Sequence, residues 1–186
     1  MGLLYEARFY LQWGSATFLK DNTPPPEKGS NRDPKNSILI FFVSVKIKEI
    51  FALGKKYPWP RPAVCPRCKD SRVWGHGFVP AYFDGFVESV LLRRYRCPGC
   101  GCVMRLRPKE YFARFQAPIE TIRFCLSHRL NRGRWPPGRS RSRQRHWLRA
   151  LRRKTMAYLG KTWHQGLMTA FDWLLQQAVI PVSRGI

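Results

Sequence analysis

Acidic residues are scarce in this sequence. Only 11 Asp and Glu residues stand against 34 Lys and Arg residues, which gives a formal net charge of +23 and a pI near 10.7. From Thr121 to Phe171 the chain has 13 basic residues and no acidic one. The sequence also lacks a carboxylate cluster, a nucleophile with a nearby base and a phosphate-binding glycine loop, so we do not expect an enzyme. The charge balance instead favours a polyanionic partner.

Long apolar segments are also lacking. The longest, residues 38–45, is too short to cross a bilayer and is followed at once by Lys46 and Lys48. The amino terminus has no basic segment followed by an apolar core and a small-residue cleavage site, so it is not typical of a secretory signal. Glu6 stands where a myristoylation motif has Ser or Thr. We therefore expect a soluble, cytoplasmic protein that does not bind a membrane.

Four of the six cysteines form two Cys-x-x-Cys pairs, CPRC at 65–68 and CPGC at 97–100, with 28 residues between them. Two such turns supply four thiolates for a tetrahedral Zn²⁺ site with Zn–S distances of roughly 2.3 Å. A chain without a secretory signal is expected in a reducing compartment, which disfavours disulfides. We predict one Zn²⁺ held by Cys65, Cys68, Cys97 and Cys100, with Cys102 as an alternative to Cys100.

The segments around the cysteine pairs have the composition of strands: residues 72–78, 88–97 and 103–107. They predict an antiparallel sheet of two or three strands, which is too small to be stable without the metal. Upstream, residues 37–54 form either a short helix that ends at Gly54 or a buried strand that turns helical, and periodicity does not decide between them.

A helical period begins after Pro118. Apolar residues at 119, 122, 126 and 130 predict one side of a helix that ends at Gly133. A second helix is predicted from about Ser142 to about Leu159, and a third amphipathic stretch, which includes Trp163, follows Gly160. The apolar side of the second helix consists of Trp147, Leu148, Leu151 and Tyr158. We expect this side to pack on Ile122, Leu126 and Leu130 of the first helix. Its opposite side carries Arg145, Arg149, Arg152 and Arg153.

These patterns predict an α+β chain in which a small antiparallel zinc ribbon with four cysteine ligands precedes a helical, helix-turn-helix-like region. The predicted parts are an irregular or short helical leader (1–20), a flexible linker rich in Pro, Asn and Ser (21–37), a lead-in segment (38–60), the zinc ribbon (61–115), the basic helices (116–160) and a C-terminal amphipathic helix with a tail (161–186).

The run CPRC, WGHG and RRYRCPGCG, followed by basic helices, resembles the amino-terminal region of bacterial insertion-sequence transposases, in which a zinc ribbon precedes a helix-turn-helix. The resemblance covers residues 58–155 and departs at Lys69, where that family usually has Gly. Because those elements recognise transposon ends, it implies double-stranded DNA as the partner and a nucleoid-associated location. The candidate nucleic-acid contacts are Arg93, Arg94, Arg139, Arg141, Arg143, Arg145, Arg149, Arg152 and Arg153.

Transposase chemistry needs three acidic metal ligands in a separate domain. Here only Asp172 is acidic after Glu120. The resemblance therefore implies an end-recognition module or a truncated relic without catalytic activity.

Two other functions compete with DNA binding. An RNA-binding ribbon is favoured if its aromatic residues stack on unpaired bases rather than form the core. The aromatic residues in question are Trp74, Phe78, Tyr82, Phe83 and Tyr95. A zinc-stabilised adaptor is favoured if the third helix docks on a protein. The long acid-free basic stretch favours nucleic acid over both a protein surface and a merely solvated basic face.

Overall fold

The computed structural model describes residues 38–183. The predicted leader (1–20), the predicted linker (21–37) and the last three residues of the predicted tail lie outside the described residues. The chain divides into two compact units, whose described parts are residues 38–116 and 117–183. The first unit contains a sheet and a short helix and the second contains three helices, so the α+β prediction is confirmed.

The sheet of the first unit has four strands, β1 (Ile38–Val43), β2 (Trp74–Ala81), β3 (Val90–Arg96) and β4 (Val103–Pro108), in the spatial order β1-β4-β3-β2. The β2–β3 and β3–β4 pairs are antiparallel, as predicted, whereas β1 is parallel to β4. The prediction of two or three strands was wrong because β1 comes from the lead-in segment. A parallel pair joins segments that are far apart in sequence, and local patterns do not report it.

The lead-in segment is a strand that turns helical, the second of the two alternatives, although β1 is half-buried rather than buried as predicted. After β1, helix α1 (Ile47–Leu53) ends at Gly54, whose φ of 55° is accessible to glycine without steric cost. A 3-10 turn (Gly54–Lys56) and a proline-rich stretch then lead to the first cysteine pair. Trp59 in this stretch is buried, and its carbonyl accepts a hydrogen bond from the Tyr95 hydroxyl at 3.5 Å. The approach to the cysteines is thereby fixed against β3.

The core of the first unit lies on both faces of the sheet. Leu92 of β3 and Met104 and Leu106 of β4 are each at most 1% exposed. Burying one such side chain contributes about 1.5–3 kcal/mol relative to leaving it exposed. Because Leu92 faces the opposite way from Met104 and Leu106 in the strand register, both faces are partly covered.

The second unit contains helices α2 (Ile119–Arg132), α3 (Arg141–Leu159) and α4 (Leu167–Gln176). The predicted end of α2 is confirmed, since Gly133 follows it with a φ of 68° and donates its N–H to the Arg129 carbonyl. The predicted α3 is confirmed to within one residue. The third helix begins at Leu167, so Trp163 lies before it and donates its indole N–H to the Gly166 carbonyl at 3.0 Å.

Each of these three helices contacts the other two. The core that they share includes Ile122 and Leu126 of α2, Trp147, Leu148 and Leu151 of α3, and Phe171 and Leu174 of α4. Two residues predicted to be buried are not: Leu130 is 37% exposed and Tyr158 is 36% exposed. Both lie in the last turn of their helix, so the apolar period continues beyond the length that neighbouring helices cover.

Arg123 of α2 and Asp172 of α4 form a two-pronged ion pair. Arg123 Nη2 lies 2.7 Å from Asp172 Oδ2, and Nε lies 3.2 Å from Oδ1. Asp172, the last acidic residue of the sequence, thus links two helices.

No helix within residues 38–183 is long and apolar enough to cross a membrane.

Candidate metal centre and basic surfaces

The two Cys-x-x-Cys pairs lie in loops with the same backbone hydrogen bonds. The N–H of Lys69 donates to the Cys65 carbonyl at 2.8 Å, and the N–H of Gly101 donates to the Cys97 carbonyl at 2.9 Å. One loop precedes β2 and the other joins β3 to β4. Each loop therefore presents its two sulfurs from one tight turn, as a metal-binding knuckle requires.

A second backbone hydrogen bond closes each cysteine loop. The N–H of Cys65 donates to the Asp70 carbonyl at 2.8 Å, and the N–H of Cys97 donates to the Cys102 carbonyl at 3.1 Å. Lys69 has a φ of 63° and Gly101 a φ of 71°, so Lys69 adopts the left-handed conformation that its counterpart adopts as glycine. Lys69, which stands where the resembled family usually has Gly, thus keeps the backbone geometry of glycine. For a residue with a side chain, this conformation costs about 1–2 kcal/mol of steric strain.

The two loops bring Cys65, Cys68, Cys97 and Cys100 together. Their sulfur atoms all lie within 4.8 Å of one another. Cys65 Sγ is 3.6 Å from Cys100 Sγ, and Cys68 Sγ is 3.4 Å from Cys97 Sγ. A tetrahedron with Zn–S bonds of roughly 2.3 Å has sulfurs roughly 3.8 Å apart. All six cysteines are free thiols, so the four residues can hold a metal ion.

The sulfurs differ in how readily they ionise. Burial opposes ionisation of Cys65, but the backbone N–H groups of Cys68 and Arg67, together with neighbouring sulfurs, lower its pKa to about 6. The backbone N–H of Asp70 favours the Cys68 thiolate, yet the adjacent sulfur of Cys97 and other nearby groups raise the pKa of Cys68 to about 12. Close thiols oppose one another's charge. A bound divalent cation removes that opposition and deprotonates its ligands.

Cys102 is a fifth sulfur beside the cluster. It is fully buried, and its Sγ lies 3.6 Å from Cys65 Sγ. The group of sulfurs that all lie within 4.8 Å of one another nevertheless contains Cys100 and not Cys102. Burial, followed by contact with the Cys65 sulfur, raises the pKa of Cys102. Cys102 therefore fits a neutral thiol that packs against a ligand better than it fits a ligand.

Asp70, Arg72 and Gly99 support the cluster from outside. Asp70 accepts hydrogen bonds from the backbone N–H of Arg72 at 2.8 Å and from its Nη2 at 3.1 Å. A Cβ on Gly99 would lie 2.7 Å from Asp70 Oδ2, so only glycine fits there without a shift. Hydrogen bonding to Asp70, followed by the charges of Asp70 and Cys97, raises the pKa of Arg72. This guanidinium places positive charge beside the thiolates.

The matched loops predict opposite effects for two substitutions. Gly101→Ala forces alanine into the left-handed region and is expected to weaken metal binding by about 1–2 kcal/mol. Lys69→Gly removes the same strain, and the extra freedom of glycine in the unfolded chain offsets part of the gain, so binding is expected to strengthen by up to about 1 kcal/mol. Competition with a chromophoric chelator measures both affinities.

Gly138→Ala is the control for the glycine effect, because Gly138 also has a positive φ of 80° but lies in the second unit. It is expected to lower stability without changing metal affinity. Equal metal affinity in the Gly101→Ala and Lys69→Gly variants would contradict the role assigned to the left-handed residue.

The two adjacent arginines predicted to contact nucleic acid on β3 point to opposite faces of the sheet. Arg93 lies over the rings of Phe78 at 4.7 Å and Tyr95 at 5.5 Å, measured from Cζ to the ring centroids. Its guanidinium also covers Gly75, where a Cβ would meet it. Arg94 faces the other side and is half-buried. Arg93 thus packs on the sheet, and the two side chains do not share one surface.

The remaining predicted contacts lie in the second unit, before or within α3. Arg139, Arg141, Arg145, Arg149, Arg152 and Arg153 are exposed, and Arg143 is half-buried. Lys154 follows this series but is buried, and its Nζ lies 5.3 Å from the centre of the Tyr158 ring. Burial lowers the pKa of Lys154. The exposed basic side of α3 therefore consists of arginines alone.

Three further basic residues of the sheet were not among the predicted contacts: Arg96, Arg105 and Arg107. Arg107 is 6% exposed, and its Nε and Nη2 donate to the carbonyls of Phe112 and Phe115. Burial, together with the charge of Arg105, lowers its pKa to about 10. Alternation of apolar and basic residues at 103–107 was the signal that Arg105 and Arg107 share one face.

Among the aromatic residues considered for base stacking, Phe83 and Tyr95 are 3% and 5% exposed and belong to the core, and Phe78 lies under Arg93. Trp74 and Tyr82 are 59% and 62% exposed.

Comparison of the chain with family models, curated proteins and solved structures finds no match.

Proposed function

We propose that this protein is a zinc-stabilised DNA-binding protein, related to the end-recognition modules of transposases and without catalytic activity. The observation that carries the proposal is the surface of α3. This helix buries Trp147, Leu148 and Leu151 and exposes arginines on its opposite side. A helix with one packed side and one cationic side suits insertion into a groove lined by phosphates.

The spacing of the α3 arginines fits this role. Arg145, Arg149, Arg152 and Arg153 recur at intervals that place them on one side of a helix. They extend over roughly 12 Å of helix axis, and the major groove of B-DNA is about 12 Å wide. Arginine suits both phosphate contact and bidentate pairing with guanine. The neighbouring sequence supplies no acidic residue between Thr121 and Phe171 to neutralise them.

The connection between α2 and α3 extends from Gly133 to Ser140. It is longer than the turn of about three to four residues in a helix-turn-helix. Gln144 ties this connection to α3 by donating to the carbonyls of Pro136 at 3.4 Å and Arg139 at 3.2 Å. The DNA-binding proposal therefore rests on the surface of α3 and not on the helix-turn-helix motif.

Zinc is the proposed ion because four thiolates in a compact tetrahedral arrangement suit it, and a closed site without an open position is typical of a structural role. The cysteine loops frame β3 and β4, whose strands begin or end next to Cys97 and Cys102. The proposed ion would therefore fix the register of two strands and supply no reaction chemistry.

Fluorescence anisotropy with zinc-loaded, full-length protein tests the proposal. Labelled duplex DNA, single-stranded DNA and structured RNA are compared at fixed salt, with unlabelled competitors. We expect duplex DNA to compete best and the affinity for it to fall steeply with salt. Stronger competition by structured RNA would favour the RNA-binding alternative. Absence of binding to all three would leave the adaptor function.

A further inference from the structure

The half of one sheet face next to the second cysteine loop carries a row of arginines. Arg94 of β3 and Arg105 of β4 lie directly opposite each other in the strand register. Arg96 is two residues beyond Arg94, so it projects from the same face, and Trp74 of β2 lies opposite Arg96. We call Arg94, Arg96 and Arg105 the arginine row.

This arrangement is unfavourable for the isolated sheet. Like charges directly opposite each other on neighbouring strands repel. Within the described part of the chain, neither the Nε of Arg94 nor that of Arg105 has a hydrogen-bond acceptor, although both atoms are buried. Arg107, the next residue on the same face of β4, satisfies its guanidinium with backbone carbonyls instead. The Nε atoms of Arg94 and Arg105 therefore lack the kind of acceptor that the Nε of Arg107 has.

Trp74 adds an aromatic surface at the end of the row. Its side chain is 59% exposed, next to the exposed Arg96. An exposed indole beside cationic groups is the combination that binds single-stranded nucleic acid, because bases stack on the ring while phosphates contact the guanidinium groups. Most of the other aromatic residues near the strands are buried or covered, so Trp74 is the stacking surface that this face offers.

We propose that this face binds an unpaired nucleic-acid strand, with a base stacked on Trp74 and its phosphates held by Arg94, Arg96 and Arg105. The inference deepens the proposed DNA-binding function and rests on it for the class of ligand. The negative charge of the strand offsets the repulsion between the members of the arginine row. The residues of this site belong to the first compact unit, whereas α3 belongs to the second.

The test uses zinc-loaded, full-length protein and two labelled probes of equal length. One is an oligothymidylate of about 12 nucleotides, within the site sizes of known single-strand binders, and the other has the same phosphates but abasic sugars. Trp74→Ala is expected to weaken binding of oligothymidylate by about 5- to 100-fold and to leave binding of the abasic probe unchanged. Tyr82→Ala, an equally exposed aromatic residue, is the control and should change neither affinity.

The charged half of the site is tested with Arg94→Gln combined with Arg105→Gln. This variant should weaken binding of both probes, and the log–log salt slope should fall by about 0.7 for each single-strand phosphate that the protein no longer neutralises. Lys55→Gln combined with Lys56→Gln removes the same charge from exposed positions elsewhere in the unit and is the control. Metal content confirms that each variant keeps its fold, and Arg96→Gln, at an exposed position, replaces the double variant if that one loses metal.

Unchanged oligothymidylate binding by Trp74→Ala would overturn the proposal, as would equal binding of the two probes by the wild-type protein, since either means that no base stacks there. A duplex probe in the same series separates the two proposals. Duplex binding without single-strand binding removes this site and leaves the function proposed for α3. Single-strand binding that depends on Trp74, without duplex binding, supports this site and removes the function proposed for α3.

Discussion

Replacing Cys65 with Ser is expected to abolish stoichiometric metal binding and to unfold the four-stranded sheet. The apparent free energy of a structural zinc site is on the order of 10–16 kcal/mol, which exceeds what a sheet of this size gains by itself. Cys65 is fully buried, and its sulfur lies close to those of Cys100 and Cys102. The substitution removes one ligand and leaves three thiols without a complete tetrahedron.

Elemental analysis and amide hydrogen exchange measure this prediction. We expect one zinc per chain in the wild-type protein and none in the variant, with exchange protection lost over residues 61–110. Chelation of the wild-type protein should give the same loss. Helical signal from α2, α3 and α4 should largely persist, because these helices form their own compact unit.

Cys125→Ser is the matched control. Cys125 is also buried, at 1% exposed, but lies in α2 and outside the cysteine cluster. Placing a hydroxyl there is expected to cost about 1–3 kcal/mol of stability without changing metal content. Protein purified under reducing conditions that contains no metal, or a Cys65→Ser variant that keeps both metal and sheet, would contradict the assigned site.

The features predicted well from sequence are those determined by local patterns. The spacing within each Cys-x-x-Cys turn predicted the four sulfurs that the structure brings together. The apolar periods and the glycine at position 133 predicted α2 and α3 closely, because helical hydrogen bonds join residues only four apart. Nothing outside those segments was needed to place them.

The features missed depend on contacts between distant segments. The pairing of β1 with β4 joins residues such as Leu39 and Met104, and no local period specifies such a partner. The arginine row was missed for the same reason. Arg94 is adjacent to Arg93 in sequence, but it shares its face with Arg105 of the neighbouring strand. Strand register, which sequence alone did not determine here, decides which basic residues form one surface.

Replacing Arg145, Arg149 and Arg152 together with Ala is expected to weaken duplex DNA binding by about 100-fold or more, since an arginine contact to DNA contributes about 1–3 kcal/mol. All three side chains are exposed, so the core of the helical unit should survive. The log–log salt slope should also fall by about 0.9 for each phosphate that the variant no longer neutralises. Anisotropy titrations at several salt concentrations measure both quantities, and circular dichroism confirms that α3 remains folded.

The control removes the same charge elsewhere by combining Lys55→Ala, Lys56→Ala and Lys161→Ala, all at exposed positions. If general attraction to a cationic chain explains binding, the two triple variants lose affinity equally and the assignment to α3 is wrong. If α3 is the interface, its variant loses far more.

The dependence of that loss on DNA sequence then separates two modes of contact. Phosphates are the same in every duplex, so removing phosphate contacts lowers the affinity for all sequences by one factor. Arginines that pair with guanine edges contribute only at sites that present those edges, so their removal lowers the affinity for a preferred site more than for a random one. A preferred duplex selected with the wild-type protein, compared with a shuffled duplex, measures the difference. If α3 reads base pairs as well as holding the backbone, as the proposed function requires, the triple variant should bind both duplexes with nearly equal affinity.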